Sequence, residues 1–110
     1  MSQVIVDENL LQEMVRRLVE AIDPDRIILF GSRARGDARA DSDVDLLVIK
    51  DSPDPPHRRS IPAYRALGGI SAPTDILWRT PEEVEEWAGV RNYVTTRAMR
   101  EGKLLYEKRS

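Results

Sequence analysis

The chain has 110 residues, no cysteine and a net charge of −2, with 41% hydrophobic and 33% charged residues. This length predicts a single domain over residues 1–110 with a modest core, and the lack of cysteine excludes a disulfide framework or a thiolate metal site. The apolar runs are far shorter than the roughly 20 residues of a membrane span, and no secretory signal is visible, so we expect a cytoplasmic protein that does not bind membranes. The net charge gives no general attraction to nucleic acid, so we expect no direct binding of nucleic acid.

The first half of the chain predicts two helices and two strands. Residues 8–22 carry apolar side chains at helical spacing, with Asp7 as the N-cap and Asp23-Pro24 as the end. The elements that follow are a buried strand at 26–30, a helical turn at 32–38 and a second strand at 44–49. Gly31 ends the first strand, and the helical turn begins after it, at Ser32.

The second half predicts further helices and a third strand. Its elements are a proline-punctuated surface loop at 51–62, a short helix at 63–67, a strand at 74–79, a helix after Thr80 and a helix at 92–101 that Asn92 caps. Thr80 and Glu83 form a capping box, with Pro81 in the first turn. Residues 103–106 fit an edge strand or an ordered tail. The pattern predicts an α/β (α+β) fold with a small mixed β-sheet packed by helices.

Three aspartates are the candidate catalytic and metal-binding residues. Asp43 and Asp45 stand two positions apart at the second strand, so their side chains share one face. Carboxylates this close repel, and Mg²⁺, which prefers oxygen ligands and substrate phosphates, relieves the repulsion. Asp75 enters an apolar strand, where a carboxylate is costly without a partner. If Asp75 lies beside the other two, the three carboxylates predict a two-metal site. Asp75 can then also take a proton from an attacking hydroxyl. The alternative is that Asp75 only caps a turn.

The Gly31 turn predicts the phosphate-binding half of this site. Glycine lets a phosphate approach the backbone closely, and a helix that starts at Ser32 favours an anion. The guanidinium groups of Arg33 and Arg35 match phosphate oxygens, although a solvated loop would carry such arginines as well. A Gly-Ser turn ten residues before Asp-x-Asp, each at a strand end, therefore predicts a site for a metal-bound nucleoside triphosphate.

A family resemblance rests on these same residues. The run Phe30-Gly31-Ser32-Arg33-Ala34-Arg35-Gly36, followed by Asp43-Val44-Asp45-Leu46-Leu47-Val48, resembles the minimal nucleotidyltransferases of the DNA polymerase β superfamily. These are the antitoxin partners of HEPN-type toxins, and the resemblance extends over nearly the whole chain. It implies a polymerase β-like nucleotidyltransferase fold in which the Gly-Ser turn holds ATP and the three aspartates bind two Mg²⁺ ions. The implied reaction transfers AMP to a hydroxyl, a tyrosine of the HEPN toxin, and thereby neutralises the toxin.

Two other functions are compatible with the sequence. One is an antitoxin that inhibits its partner by binding while its active site is silent, and the other is transfer to a small molecule such as an aminoglycoside. The presence of all three carboxylates favours an active enzyme. Because no segment is assigned to hold an acceptor, we expect a partner or a second copy of the chain to complete the acceptor site. A hetero-oligomer is the expected assembly. Tyr64, Tyr93 and Tyr106 could be sites of self-modification, but nothing in the sequence supports this.

Overall fold

A four-stranded mixed sheet forms the centre of the fold. The computed structural model describes residues 7–36, 43–88 and 94–109. The strands are β1 (Arg26–Phe30), β2 (Val44–Ile49), β3 (Thr74–Arg79) and β4 (Lys103–Glu107), in the order β3-β2-β1-β4. β1 pairs antiparallel with β2 and β4, and β2 pairs parallel with β3. The predicted α/β class with a mixed sheet is confirmed, and the segment after residue 102 is an edge strand.

Helices surround this sheet. They are α1 (Glu8–Ile22), α2 (Ser32–Arg35), α3 (Pro56–Arg59), α4 (Ile61–Ala66), α5 (Pro81–Glu86) and α6 (Val94–Glu101). The predicted caps are confirmed: Asp7 accepts the Leu10 N–H at 2.9 Å, and Thr80 and Glu83 form the capping box of α5. The predicted start of the last helix at Asn92 lies outside the described residues. Within the described ranges, no helix is long and apolar enough to span a membrane.

Two prolines begin helices in a stretch that the sequence predicted as a loop. Pro56 lies in the first turn of α3, and Pro62 in the first turn of α4. The prediction of a surface loop over 51–62 is therefore wrong for its second half, and the predicted helix at 63–67 begins earlier, at Ile61. The physical reason is that proline suits the first turn of a helix, where its missing N–H would have no helical partner.

The alternation of side chains in β2 divides the protein into two packed sides. Val44, Leu46 and Val48 are fully buried against α1 and α4, as predicted for one buried face. We call this side of the sheet the α1 face. Leu47 and Ile49 point to the opposite side and pack with α6. Asp45 lies on the same side as Leu47 and Ile49, because alternate residues of a strand share one face. We call this second side the carboxylate face.

Candidate active site

Parallel pairing of β2 with β3 brings two of the predicted carboxylates together. Asp45 lies opposite Asp75 in the register of the two strands. Neighbouring strands are about 4.8 Å apart, and the side chains of paired residues share one face, so both carboxylates lie on the carboxylate face. Asp43 precedes β2 by one residue and is exposed. The sequence predicted that a neighbouring strand would deliver Asp75, and the register provides that contact through Asp45.

The carboxylates influence one another electrostatically. The pKa of Asp45 is raised above its usual value, first by burial and then by the negative charges of Asp75 and Asp43. The positive charges of Arg35 and Arg33 lower this pKa but do not cancel the increase. Burial and the repulsion between carboxylates both disfavour the ionised form of Asp45, and a bound cation would relieve this penalty.

The donor set fits Mg²⁺ without a complete cage of protein ligands. Across residues 7–36, 43–88 and 94–109, no group of three or more His, Cys, Asp or Glu side chains is arranged to hold a metal ion. Mg²⁺ is commonly bound through one or two carboxylates together with substrate phosphates. Asp45 and Asp75 supply two such carboxylates at paired positions. The participation of the exposed Asp43 stays a prediction.

The Gly31 turn lies directly against Asp45. Gly31 has φ +75° and ψ −157°, a combination that is essentially restricted to glycine. A Cβ atom at this position would overlap Asp45 Oδ2. Both the backbone and the close approach to Asp45 therefore require glycine here. Ser32 and Arg33 follow in α2, where both are half-buried.

A cavity of about 240 Å³ opens beside this turn. Its walls come from the β1–α2 junction and from α6, and the lining residues are Phe30, Gly31, Arg35, Val94, Arg97, Ala98 and Glu101. Arg97 and Glu101 form an ion pair at 3.8 Å. The sequence did not indicate that α6 contributes to this site, because an Arg and a Glu four residues apart predict only a surface ion pair on a helix.

Tyr64 is a further polar residue at the site that the sequence did not single out. Its hydroxyl accepts a hydrogen bond from the Ile76 N–H at 2.9 Å and donates to Asp75 Oδ1 at 3.4 Å. The phenol thus lies beside the open edge of β3, next to the candidate base. No local signal reveals this contact, since it depends on how α4 packs beside the sheet.

Comparison with known proteins agrees with this fold. The profile of the nucleotidyltransferase domain matches residues 8–105, whereas no curated protein gives a significant match. A provisionally assigned nucleotidyltransferase from Sulfolobus solfataricus has a TM-score of 0.63 at 20% identity, over 89% of this chain and 78% of that chain. A toxin–antitoxin structure with AMP-PNP has a TM-score of 0.63 at 19% identity, over 90% of this chain and 74% of that chain.

At these identities, the likeness to the two solved structures shows the fold alone. The profile match carries more information, because it covers most of the sequence and includes the Gly31 turn and all three aspartates. On that match, the chain belongs to the nucleotidyltransferase domain family.

Proposed function

We propose that the protein transfers AMP from Mg²⁺-ATP to a hydroxyl group, a tyrosine of a HEPN-type toxin, and so acts as an antitoxin. The observation that carries this proposal is the pairing of Asp45 with Asp75 beside a glycine turn that touches Asp45. The sequence resemblance to minimal nucleotidyltransferases supports the acceptor class. The similar fold of a toxin–antitoxin structure with AMP-PNP, an ATP analogue, supports both the nucleotide and the partner.

In this proposal the nucleotide lies along the turn. The backbone at Gly31 and the hydroxyl of Ser32 hold the triphosphate, since no side chain at Gly31 keeps the phosphates away. The guanidinium groups of Arg33 and Arg35 contact phosphate oxygens. Both arginines already act electrostatically on Asp45. A triphosphate bound there meets positive charge on one side and the metal-binding carboxylates on the other.

Asp43, Asp45 and Asp75 hold Mg²⁺, with two ions as the predicted number. When bound, Mg²⁺ neutralises phosphate charge and stabilises the attacking and leaving oxygens. Asp75 takes the proton of the acceptor hydroxyl. The acceptor oxygen forms a bond to the α-phosphorus while the α–β phosphoanhydride bond breaks, and pyrophosphate leaves with the bonding electron pair. A bound cation would offset the burial and the carboxylate repulsion that raise the pKa of Asp45.

The proposal is tested by label transfer. The chain is mixed with Mg²⁺, ATP labelled in its α-phosphate and the HEPN-type protein encoded beside it, with an aminoglycoside in a parallel reaction. We expect label on a tyrosine of the HEPN protein. Asp43→Asn with Asp45→Asn should abolish transfer and leave the circular dichroism spectrum unchanged, because an amide replaces each carboxylate at nearly the same size.

A matched control is Asp51→Asn with Asp54→Asn, which removes the same charge from two exposed carboxylates outside the site. This control should transfer label normally. The enzymatic proposal is wrong if the Asp43/Asp45 variant labels its partner as well as the unchanged chain does. Binding of the HEPN protein without any label would indicate the silent antitoxin, and label on the aminoglycoside would indicate a small-molecule transferase.

A further inference from the structure

Tyr64 presents a hydroxyl to the candidate base of the reaction. Its O–H donates to Asp75 Oδ1 at 3.4 Å, and its oxygen accepts the Ile76 N–H at 2.9 Å. The side chain is 42% exposed, so a nucleotide in the site can approach it. A hydroxyl hydrogen-bonded to a base is the arrangement of an activated nucleophile. Resting on the function proposed above, we infer that Tyr64 is itself an acceptor and that the protein adenylylates its own Tyr64 hydroxyl.

The order of groups across the sheet favours this transfer. Gly31 follows β1, Asp45 lies in the neighbouring β2, and Asp75 lies in β3. Tyr64 reaches the free edge of β3, because it bonds an N–H that points away from β2. Phosphoryl transfer requires the attacking and leaving oxygens to lie on opposite sides of the phosphorus. With the β- and γ-phosphates at the Gly31 turn, the Tyr64 oxygen lies on the side that the attacking oxygen must occupy.

The two hydrogen-bond partners of Tyr64 match what the transfer step requires, a proton acceptor and a donor to the attacking oxygen. The phenolic proton passes to Asp75 Oδ1, and an oxygen lone pair forms the new bond to the α-phosphorus of ATP. The α–β phosphoanhydride bond breaks, and pyrophosphate leaves with its electrons. The Ile76 N–H stabilises the negative charge that develops on the oxygen as its proton leaves. The other carboxylate oxygen of Asp75 would still be available to a bound cation.

The experiment uses the full chain alone with Mg²⁺-ATP, followed by peptide mass mapping. We expect one added AMP on Tyr64 and none on Tyr106, which lies in β4 at the opposite edge of the sheet. The rate per molecule should not change on dilution, because donor site and acceptor belong to one molecule. A rate that falls on dilution, or equal labelling of both tyrosines, would overturn the inference.

Three variants complete the test. Tyr64→Phe should reduce self-labelling to background, Tyr106→Phe should leave it unchanged, and Asp75→Asn should lower it about 10²–10⁴-fold. Circular dichroism checks the fold of each variant, and the mass of the Tyr64 peptide from the unchanged chain decides the question even if Tyr64→Phe misfolds. A chain that labels its HEPN partner but never Tyr64 overturns this inference alone. A chain that labels neither overturns the proposed function as well.

Discussion

The two faces of the sheet are filled in different ways. Among the described residues, twelve buried side chains form one cluster on the α1 face, whereas four form the cluster on the carboxylate face. The carboxylate face carries Asp45 and Asp75 side by side, and cavities open beside its helices. Burial of apolar surface is the main source of stability in folded proteins. The comparison indicates that the α1 face supplies most of the stability, so the opposite face can hold like charges that destabilise the fold.

The largest effect is expected from Gly31→Ala, which disturbs the carboxylate face without touching the core. The added Cβ would overlap Asp45 Oδ2, and φ +75° disfavours any side chain. We expect AMP transfer to fall by about 10²–10³-fold, the size of effect seen when one preorganised catalytic contact is lost. The measurement is the initial rate of label transfer from ATP.

Gly69→Ala is the matched control for this variant. Gly69 also has a positive φ, +89°, but nothing lies within 4 Å of a Cβ atom there. Gly69→Ala should lose about 1–2 kcal/mol of unfolding free energy from its positive φ, and Gly31→Ala about 1–3 kcal/mol because its backbone conformation is essentially restricted to glycine. Only Gly31→Ala should lose transfer. Equal transfer rates in the two variants would show that the contact between Gly31 and Asp45 is unimportant.

The next largest effect tests the stability of the two faces directly. Leu46 and Leu47 are adjacent in β2 and both are fully buried, but they point to opposite faces. Leu46→Ala should cost toward the upper end of about 2–5 kcal/mol, and Leu47→Ala toward the lower end. The reason is that the smaller cluster lies next to cavities of 290 and 320 Å³, where the surroundings can adjust. Urea unfolding measures both values, and a cost for Leu47→Ala at or above that for Leu46→Ala would contradict the comparison.

The sequence predicted those parts of the fold that have local physical causes. The cap at Asp7 and the capping box at Thr80 depend on neighbouring residues, and both are confirmed. In β2 the predicted core face is buried, but Leu47 and Ile49 on the other face are buried too. The start of α3 was missed because the prolines of 51–62, Pro56 among them, were interpreted as indicating a loop, although proline also favours the first turn of a helix. A single proline does not distinguish a loop from the first turn of a helix unless the packing of that segment is known.

The local parts of the candidate site were predicted, and of its long-range parts only the approach of Asp75 was anticipated. The Gly31 turn and the pair Asp43 and Asp45 are close in sequence, so their chemistry was visible there. The contact of Tyr64 with Asp75 and the contribution of α6 to the cavity depend on tertiary packing, which no local pattern encodes. The catalytic and metal-binding roles of the predicted residues stay predictions until the variants above are measured.

A smaller effect is expected from Glu83→Gln, which tests how α5 is held on the carboxylate face. Burial raises the pKa of Glu83, but the Thr80 N–H and the nearby Arg59 guanidinium outweigh it and lower the pKa overall. Arg59 is 8% exposed and also donates to Asp54 O at 3.0 Å. Loss of the ion pair between Glu83 and Arg59 should lower the free energy of unfolding by about 1–3 kcal/mol at pH 7.

The sign of the pH dependence follows from the lowered pKa of Glu83. The stabilisation is complete above the unfolded-state value of 4.5 and is lost as pH falls through the lower folded-state pKa. Urea unfolding of Glu83→Gln and the unchanged chain should therefore differ at neutral pH and converge in acid. Glu82→Gln, an exposed change in the same helical turn, is the control and should have little effect at either pH. A difference that grows in acid would exclude this role of Glu83.

The smallest effect is expected from Glu13→Gln on the exposed side of α1. Hydrogen bonds from Arg16 and Arg17 lower the pKa of Glu13 to about 2, so its contribution is present above pH 4.5 and is lost as pH falls toward 2. Glu13 and Arg17 are half-buried at the surface and Arg16 is exposed. Salt screens such surface pairs, so the variant should unfold at nearly the same urea concentration as the unchanged chain, and high salt should reduce the difference further. If α1 is held on the sheet by its apolar side, Leu46→Ala must cost far more than Glu13→Gln. A Glu13→Gln cost close to that of Leu46→Ala would mean that surface charge, not buried apolar contact, fixes the α1 face.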